Sequence, residues 1–302
     1  VPTKTAQQSS PRTRVRHQFD SPWKDILDAY LPQFIEFFFP ELYPLIDWSK
    51  GYDMLDKELQ AIINNKKMGK RFVDKLVRVT LRDGNKKWLL IHIEVQAGRE
   101  THFEKRLFVY YYRLVDRYDL PIMTLVVLAD DNPSWRPRSY QETVGNKEVV
   151  RFNFETVKLL DYKEQIALLE QSDNPFGLVV AAHLGALSTQ NDPQARLTFK
   201  LSLAKKLFKR GFDKDQVVKL YKFIDWVLAL PEELEIKYNE SIQQLVEEKS
   251  IMNYVTSGER IAIKKGFEKG LLQGMQQGIE QGIERGIKKG IEKGRQEGEY
   301  YL

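Results

Sequence analysis

Asp74, Glu94 and Gln96 offer two carboxylates and an amide, twenty residues and two residues apart, that a β-hairpin would bring together. In Ile91-His92-Ile93-Glu94-Val95-Gln96, apolar and polar residues alternate, so a strand there presents His92, Glu94 and Gln96 on one face. Asp74 precedes a second alternating run, with Val77, Val79 and Leu81 apolar, and takes the polar side of it. Between the runs stands Arg82-Asp83-Gly84-Asn85, a hairpin signal because a tight turn needs residues that tolerate positive φ. A turn centred near Asp83-Gly84 brings Asp74 opposite Glu94 or a position next to it. Two carboxylates so placed raise one another's pKa and are costly unless a cation lies between them. Oxygen ligands that leave positions for water and phosphate suit Mg²⁺ or Mn²⁺ better than zinc. Asp74 and Glu94 are then the metal ligands, with Gln96 orienting water or the metal shell and His92 as a neighbour. A solvent-facing pair of acids on an ordinary hairpin has the same spacing, and the spacing alone does not choose.

The elements that must hold these residues are legible in outline. Residues 1–19 are rich in Ser, Thr, Gln and Arg and read as a disordered basic arm. From Pro22 to Phe39 apolar residues recur at helical spacing (Trp23, Ile26, Leu27, Tyr30, Phe34, Phe37, Phe38), which predicts one helix ending before Pro40. Thr101 to Tyr118 reads as a helix and Pro121 to Ala129 as a buried strand, with weaker strand signals at Val149 to Phe154 and Thr156 to Leu160. Residues 163 to about Tyr254 are mostly helical, with breaks at Asp173-Asn174-Pro175 and Asn191-Asp192-Pro193. The expected organisation is an arm over 1–19, an α/β core over 20–162, a helical region over 163–257 and a glycine-repeat tail over 258–302.

The helix after the candidate site carries Arg106, Tyr110, Arg113 and Arg117 at i, i+4, i+7 and i+11. That stripe offers guanidinium groups for phosphates and a ring for base stacking, while Phe103, Leu107, Leu114 and Tyr118 would cover the sheet. Salt bridges to Glu104, Asp116 or other local acids account for the arginines equally well. In the tail, glycine recurs every fourth residue from Gly266 to Gly298. A four-residue period drifts about 40° per repeat around a helix, which argues against a left-handed coiled coil. Close helix contact through the glycines, giving a homo-oligomer, and a low-complexity tail are the two readings of it.

Composition narrows the classes. Without cysteine, thiolate zinc sites, disulfides and cysteine nucleophiles are excluded. The apolar runs fall far short of the ~18 residues of a membrane span and no secretory signal is visible, so a cytoplasmic location is the default. Basic flanks, four Lys or Arg without an acid in 1–19 and nine against six Glu in 258–298, surround a slightly acidic body and could help hold nucleic acid. Solvated tails have the same composition.

Asp74-Lys75-Leu76-Val77, the Asp83-Gly84 turn and Ile93-Glu94-Val95-Gln96 together resemble the Rpn group of recombination-promoting nucleases, transposase-like proteins of the PD-(D/E)XK superfamily. The resemblance takes in Leu55-Asp56-Lys57-Glu58-Leu59, Phe103-Glu104-Lys105-Arg106 and Tyr110-Tyr111-Tyr112-Arg113, spans about residues 20–130, and extends to the glycine-repeat C-terminus. It implies a restriction-endonuclease-like core, a mixed sheet flanked by helices. It also implies Mg²⁺- or Mn²⁺-dependent hydrolysis of DNA phosphodiester bonds, in the service of recombination or transposition. Asp74 matches the first acid and Glu94 the acid of the (D/E)XK element. Gln96 stands where the superfamily usually has lysine, although the resembled group often has glutamine. Glutamine can only hydrogen-bond, so a cation would come from elsewhere, with Lys105 or Arg106 as candidates. Glu58 is a candidate additional acid. The alternative is a catalytically weak or inactive DNA-binding or oligomeric accessory protein; an assembly protein driven by the repeat is the third reading.

Overall fold

A computed structural model describes residues 20–63, 73–82 and 88–247. The basic arm, the Asp83-Gly84 turn and the glycine repeat lie outside the described residues. In chain order the elements are α1 (Asp20–Ala29), α2 (Leu31–Phe38), β1 (Tyr52–Met54), α3 (Asp56–Ile63), β2 (Val73–Thr80), β3 (Trp88–Gln96), α4 (Phe103–Tyr118) and β4 (Ile122–Leu128). There follow β5 (Ser139–Val144), β6 (Lys147–Asn153), β7 (Glu155–Lys158), α5 (Ile166–Leu169), α6 (Pro175–Ser188), α7 (Pro193–Lys209), α8 (Lys214–Val227) and α9 (Glu232–Glu247).

The result is an α/β fold. A mixed five-stranded sheet in the order β1-β2-β3-β4-β7 is flanked by helices, and β5 and β6 form a separate two-stranded ribbon. β1, β2 and β3 are antiparallel neighbours, whereas β3, β4 and β7 run parallel. β4 lies between two parallel neighbours and is covered on both faces, which is why Leu125 to Leu128 is an unbroken apolar run.

The helix expected over 22–39 is two helices. Pro32 falls in the first turn of α2, with Tyr30 non-helical at φ −138° between the two. Proline offers no amide hydrogen and its ring clashes with the carbonyl four residues back, so α1 cannot run through it. The expected breaks at 173–175 and 191–193 are helix starts. The Asn174 side chain accepts from the Phe176 amide, the Asp192 side chain from the Ala195 amide, and a proline follows each cap.

The two faces of the sheet have different covers. On one, Val77, Val79, Ile91, Ile93, Leu125 and Val127 share a single apolar cluster with residues of α1, α2, α6 and α8. On the other, Leu76 and Leu90 pack on Leu59 of α3 and Tyr110 and Leu114 of α4, while Val126 and Leu128 meet Phe103, Leu107 and the ribbon's Phe152. The described helices of the C-terminal region thus pack as one layer of the core. α6 is buried all round from Pro175 to Ala186, as a helix sealed inside a core must be. Among the described residues no helix is long and apolar enough to cross a membrane.

His183 joins that layer to the sheet, its Nε2–H donating to the Ala129 carbonyl at 2.7 Å just beyond β4. Complete burial pushes the imidazole down from 6.5 to about 4, against smaller upward pulls from the Ala129 carbonyl and Asp130. The unfolded chain takes this proton near pH 6.5 and the folded chain only near pH 4, so the stability is complete above the higher value and lost as pH falls towards the lower. Urea unfolding should therefore lose about 2 kcal/mol between pH 6.5 and pH 5. His183→Gln should flatten that slope, and an unchanged slope in the variant would remove His183 as its source.

Candidate functional site

The β2–β3 hairpin sets Asp74 directly opposite Glu94, between the pairs Val73 with Val95 and Lys75 with Ile93. Glu94 in turn lies beside Val126 of β4, and Gln96 beside Leu128. The cross-strand meeting of the two acids is the one that the turn position predicts.

Their surroundings are not those of a solvent-facing hairpin. β3 is the middle strand and α4 crosses its polar face, so His92 and Glu94 have no exposure and Gln96 only 4%. Arg106 of α4 points into the same space, itself 4% exposed. Its Nη2 donates to Glu94 Oε1 at 3.1 Å and to Glu100 Oε2 at 3.0 Å, and its Nη1 lies 3.4 Å from Glu94 Oε2. Nη2 is also 3.4 Å from Gln96 Oε1, and the Gln96 amide donates to the Gly98 carbonyl at 2.7 Å. His92 Nε2 stands 4.0 Å from Glu94, with the ring edge-on to Tyr110. A buried carboxylate, a guanidinium and an amide therefore form one hydrogen-bonded group.

The sequence of α4 explains how Arg106 arrives there. Phe103, Leu107, Tyr110 and Leu114 are buried at helical spacing, and Arg106 is on the border of that stripe, three residues after Phe103 and four before Tyr110. Its guanidinium also lies against the Phe103 and Tyr110 rings, at 5.2 and 5.6 Å from their centroids. This divides the arginine and tyrosine stripe expected to face DNA. Arg106 and Tyr110 turn inward because the apolar arc is wide enough to include them. Arg113 is half-buried, and Arg117 is exposed in the last turn. Of the two candidate cations, Arg106 reaches Glu94 and Gln96, while Lys105 is exposed.

Within the upstream motif it is Asp56 that is hydrogen-bonded to the described part of β2. Asp56 Oδ1 accepts from the Leu76 amide at 3.3 Å and Oδ2 from Lys75 Nζ at 2.6 Å, whereas Glu58 is half-buried in the first turn of α3. Lys75 also donates to Asp28 of α1. Burial alone would push its ammonium down, but the hydrogen bonds to Asp28 and Asp56 outweigh burial and hold it above its ordinary value. Lys75 thereby ties α1 and α3 to β2 at the residue next to Asp74. Its signal was present in the sequence: Lys75 shares the parity of Val77 and Val79, and a lysine in an apolar register implies acids buried near it.

Carboxylate and amide oxygens are the donors that Mg²⁺ or Mn²⁺ prefer, and the register puts one acid on each of two adjacent strands. Among the described residues no group of three or more acidic or histidine side chains converges as a metal cluster. The Asp74 side chain lies outside those described. Comparison of the chain with protein families, with curated proteins and with solved structures yields no match.

Removing one member of a buried pair leaves the other charge uncompensated. Arg106→Ala is therefore expected to cost about 3–5 kcal/mol in urea unfolding, with much of it recovered when Glu94→Gln is added. A loss below about 1 kcal/mol would mean that Arg106 does not balance Glu94.

Proposed function

We propose that this chain is a metal-dependent endonuclease that hydrolyses DNA phosphodiester bonds, built on a PD-(D/E)XK core of the Rpn kind. The observation that carries this reading is the cross-strand pairing of Asp74 with Glu94 on a mixed sheet flanked by helices, with Gln96 two residues on. The resemblance makes those two residues its first acid and the acid of its (D/E)XK element.

In this reading Asp74 and Glu94 hold Mg²⁺ or Mn²⁺. A divalent ion so held supplies Lewis-acid polarisation of a phosphodiester oxygen and a more acidic water. Gln96 orients the attacking water through its side-chain amide. Arg106, within 3.4 Å of both Glu94 and Gln96, takes the part of the lysine missing from position 96 and neutralises charge gathering on the scissile phosphate. Arg113 and Arg117, further along α4, are the remaining cations for the DNA backbone. A role in recombination or transposition rests on the resemblance.

One observation favours a second reading. Glu94 has no exposure and is already paired with Arg106, which suits a DNA-binding accessory protein whose catalytic site is weak or inactive.

Supercoiled plasmid incubated with the full chain and Mg²⁺ or Mn²⁺ should be nicked or linearised. EDTA should stop the reaction, and Asp74→Ala and Glu94→Ala should each reduce it by at least a hundredfold, on the order of losing 2.7 kcal/mol of transition-state stabilisation. No cleavage of single- or double-stranded DNA under either metal favours the accessory protein. Cleavage that survives both substitutions overturns the site.

A further inference from the structure

A second polar feature lies at the sheet edge. Beside the edge strand β7, a cleft of about 270 Å³ is lined on its polar side by Arg136, Arg138, Thr156, Lys158 and Asp161, with Leu128, Val157 and Tyr162 as its apolar wall. Lys158 is fixed from below: it is 2% exposed, and its Nζ donates to the buried Asp130 at 2.7 Å and to the Trp135 carbonyl at 3.3 Å. Arg136 is fixed from the side by two hydrogen bonds to Asp161, at 2.8 and 2.5 Å. Arg138 is exposed at the rim. The three cations converge closely enough to act on one carboxyl. Asp161 is held below its ordinary range first by the Arg136 hydrogen bond, with Lys158 and Arg138 adding to it.

Three cations against Asp161 in the wall, with Asp130 balancing Lys158 from beneath, leave the cleft with an excess of one positive charge. Arg138 brings a planar fork of N–H donors, the geometry that matches the oxygens of a phosphate, and Arg136, its fork engaged by Asp161, adds the second N–H of each terminal nitrogen. Lys158 serves as a point charge already stripped of water.

The sheet register connects this cleft to the candidate site. Glu94, Val126 and Thr156 form one row across three strands, and Gln96, Leu128 and Lys158 form the next usable row on that face. The cleft therefore lies two strand spacings, about 10 Å, from Glu94. At 3.4 Å of duplex axis per nucleotide, that is roughly three nucleotides of one strand.

We infer that the cleft beside β7 is a phosphate-binding site, with Arg138 as its outer anchor and Arg136 and Lys158 as its fixed inner cations. Its source in a DNA strand rests on the nuclease reading, as the subsite for a backbone phosphate flanking the scissile one. Its phosphate chemistry does not.

The test uses the full chain in EDTA, so that cleavage plays no part. Binding of a labelled duplex is followed by fluorescence anisotropy across a salt series for the wild type, Arg138→Gln, Arg138→Lys and Lys209→Gln, an exposed cation on α7. Inorganic phosphate is titrated separately by calorimetry. Arg138→Gln should weaken the duplex about five- to tenfold and lower the slope of log Kd against log salt by about one. Arg138→Lys should recover part of the loss, and Lys209→Gln should change neither quantity. If the duplex does not bind but inorganic phosphate does, and Arg138→Gln abolishes it, the cleft assignment stands while the DNA reading fails. Duplex affinity and slope unchanged in Arg138→Gln while phosphate binding is lost removes the DNA subsite and keeps the phosphate site; both ligands unchanged in Arg138→Gln, or binding of neither to the wild type, overturns the cleft whatever the plasmid assay shows.

Discussion

A carboxylate in the middle strand of a sheet, with no exposure to water, must be met by an opposite charge or give up its own. Glu94 is in that position, and Arg106 meets it. Much of the local architecture follows from this requirement. α4 must cross β3 at the height of Glu94, so the chain has to turn back within a few residues of Gln96, and it does so with His102 in the left-handed region at φ 63°. Phe103, Leu107, Tyr110 and Leu114 then hold the helix on the sheet, and their burial fixes where the guanidinium ends. The ion pair by itself need not stabilise the fold, because desolvating both groups offsets their attraction. Its contribution is to allow one direction and register of α4 over β3.

Lys75 is the counterpart on the neighbouring strand. Where Glu94 draws a cation from α4, Lys75 draws Asp28 from α1 and Asp56 from α3. Asp74 and Glu94 are cross-strand partners, and each stands on or beside a buried charge tied to a helix. The opposite face of the sheet is apolar and is covered by helices distant in sequence.

The parts legible in the sequence were those with a local cause. The hairpin register followed from a short turn between two alternating runs, and the breaks before α6 and α7 from a proline in each. The unforeseen parts lacked such a cause. β1 is three residues long, too short to show a period, and β5 is mostly exposed, so no apolar alternation marks it. The inward turn of Arg106 and Tyr110 depended on the width of the buried arc of α4, which Glu94 sets for the first and Leu76 and Leu90 of the sheet set for the second. Asp56 was visible as part of a motif, but its contact with Lys75 required knowing that α3 lies against β2.

The two faces of the sheet differ also in how far apart along the chain their partners are. Arg106 is 12 residues from Glu94, whereas His183 is 54 from Ala129, and Asn174 is 141 from the Gln33 carbonyl it bonds. Closing a short loop costs less entropy than closing a long one, and contacts between near neighbours form sooner. During synthesis the hairpin and α4 are complete before α6 has been made, at roughly 5–20 residues per second. The candidate site can thus assemble on a nascent chain whose other sheet face has only α1 and α2 to cover it. For that interval Ile91, Ile93, Leu125 and Val127 lack the part of their apolar cover that α6 and α8 bring, and the arrival of those helices ends the period in which the chain is most prone to aggregate.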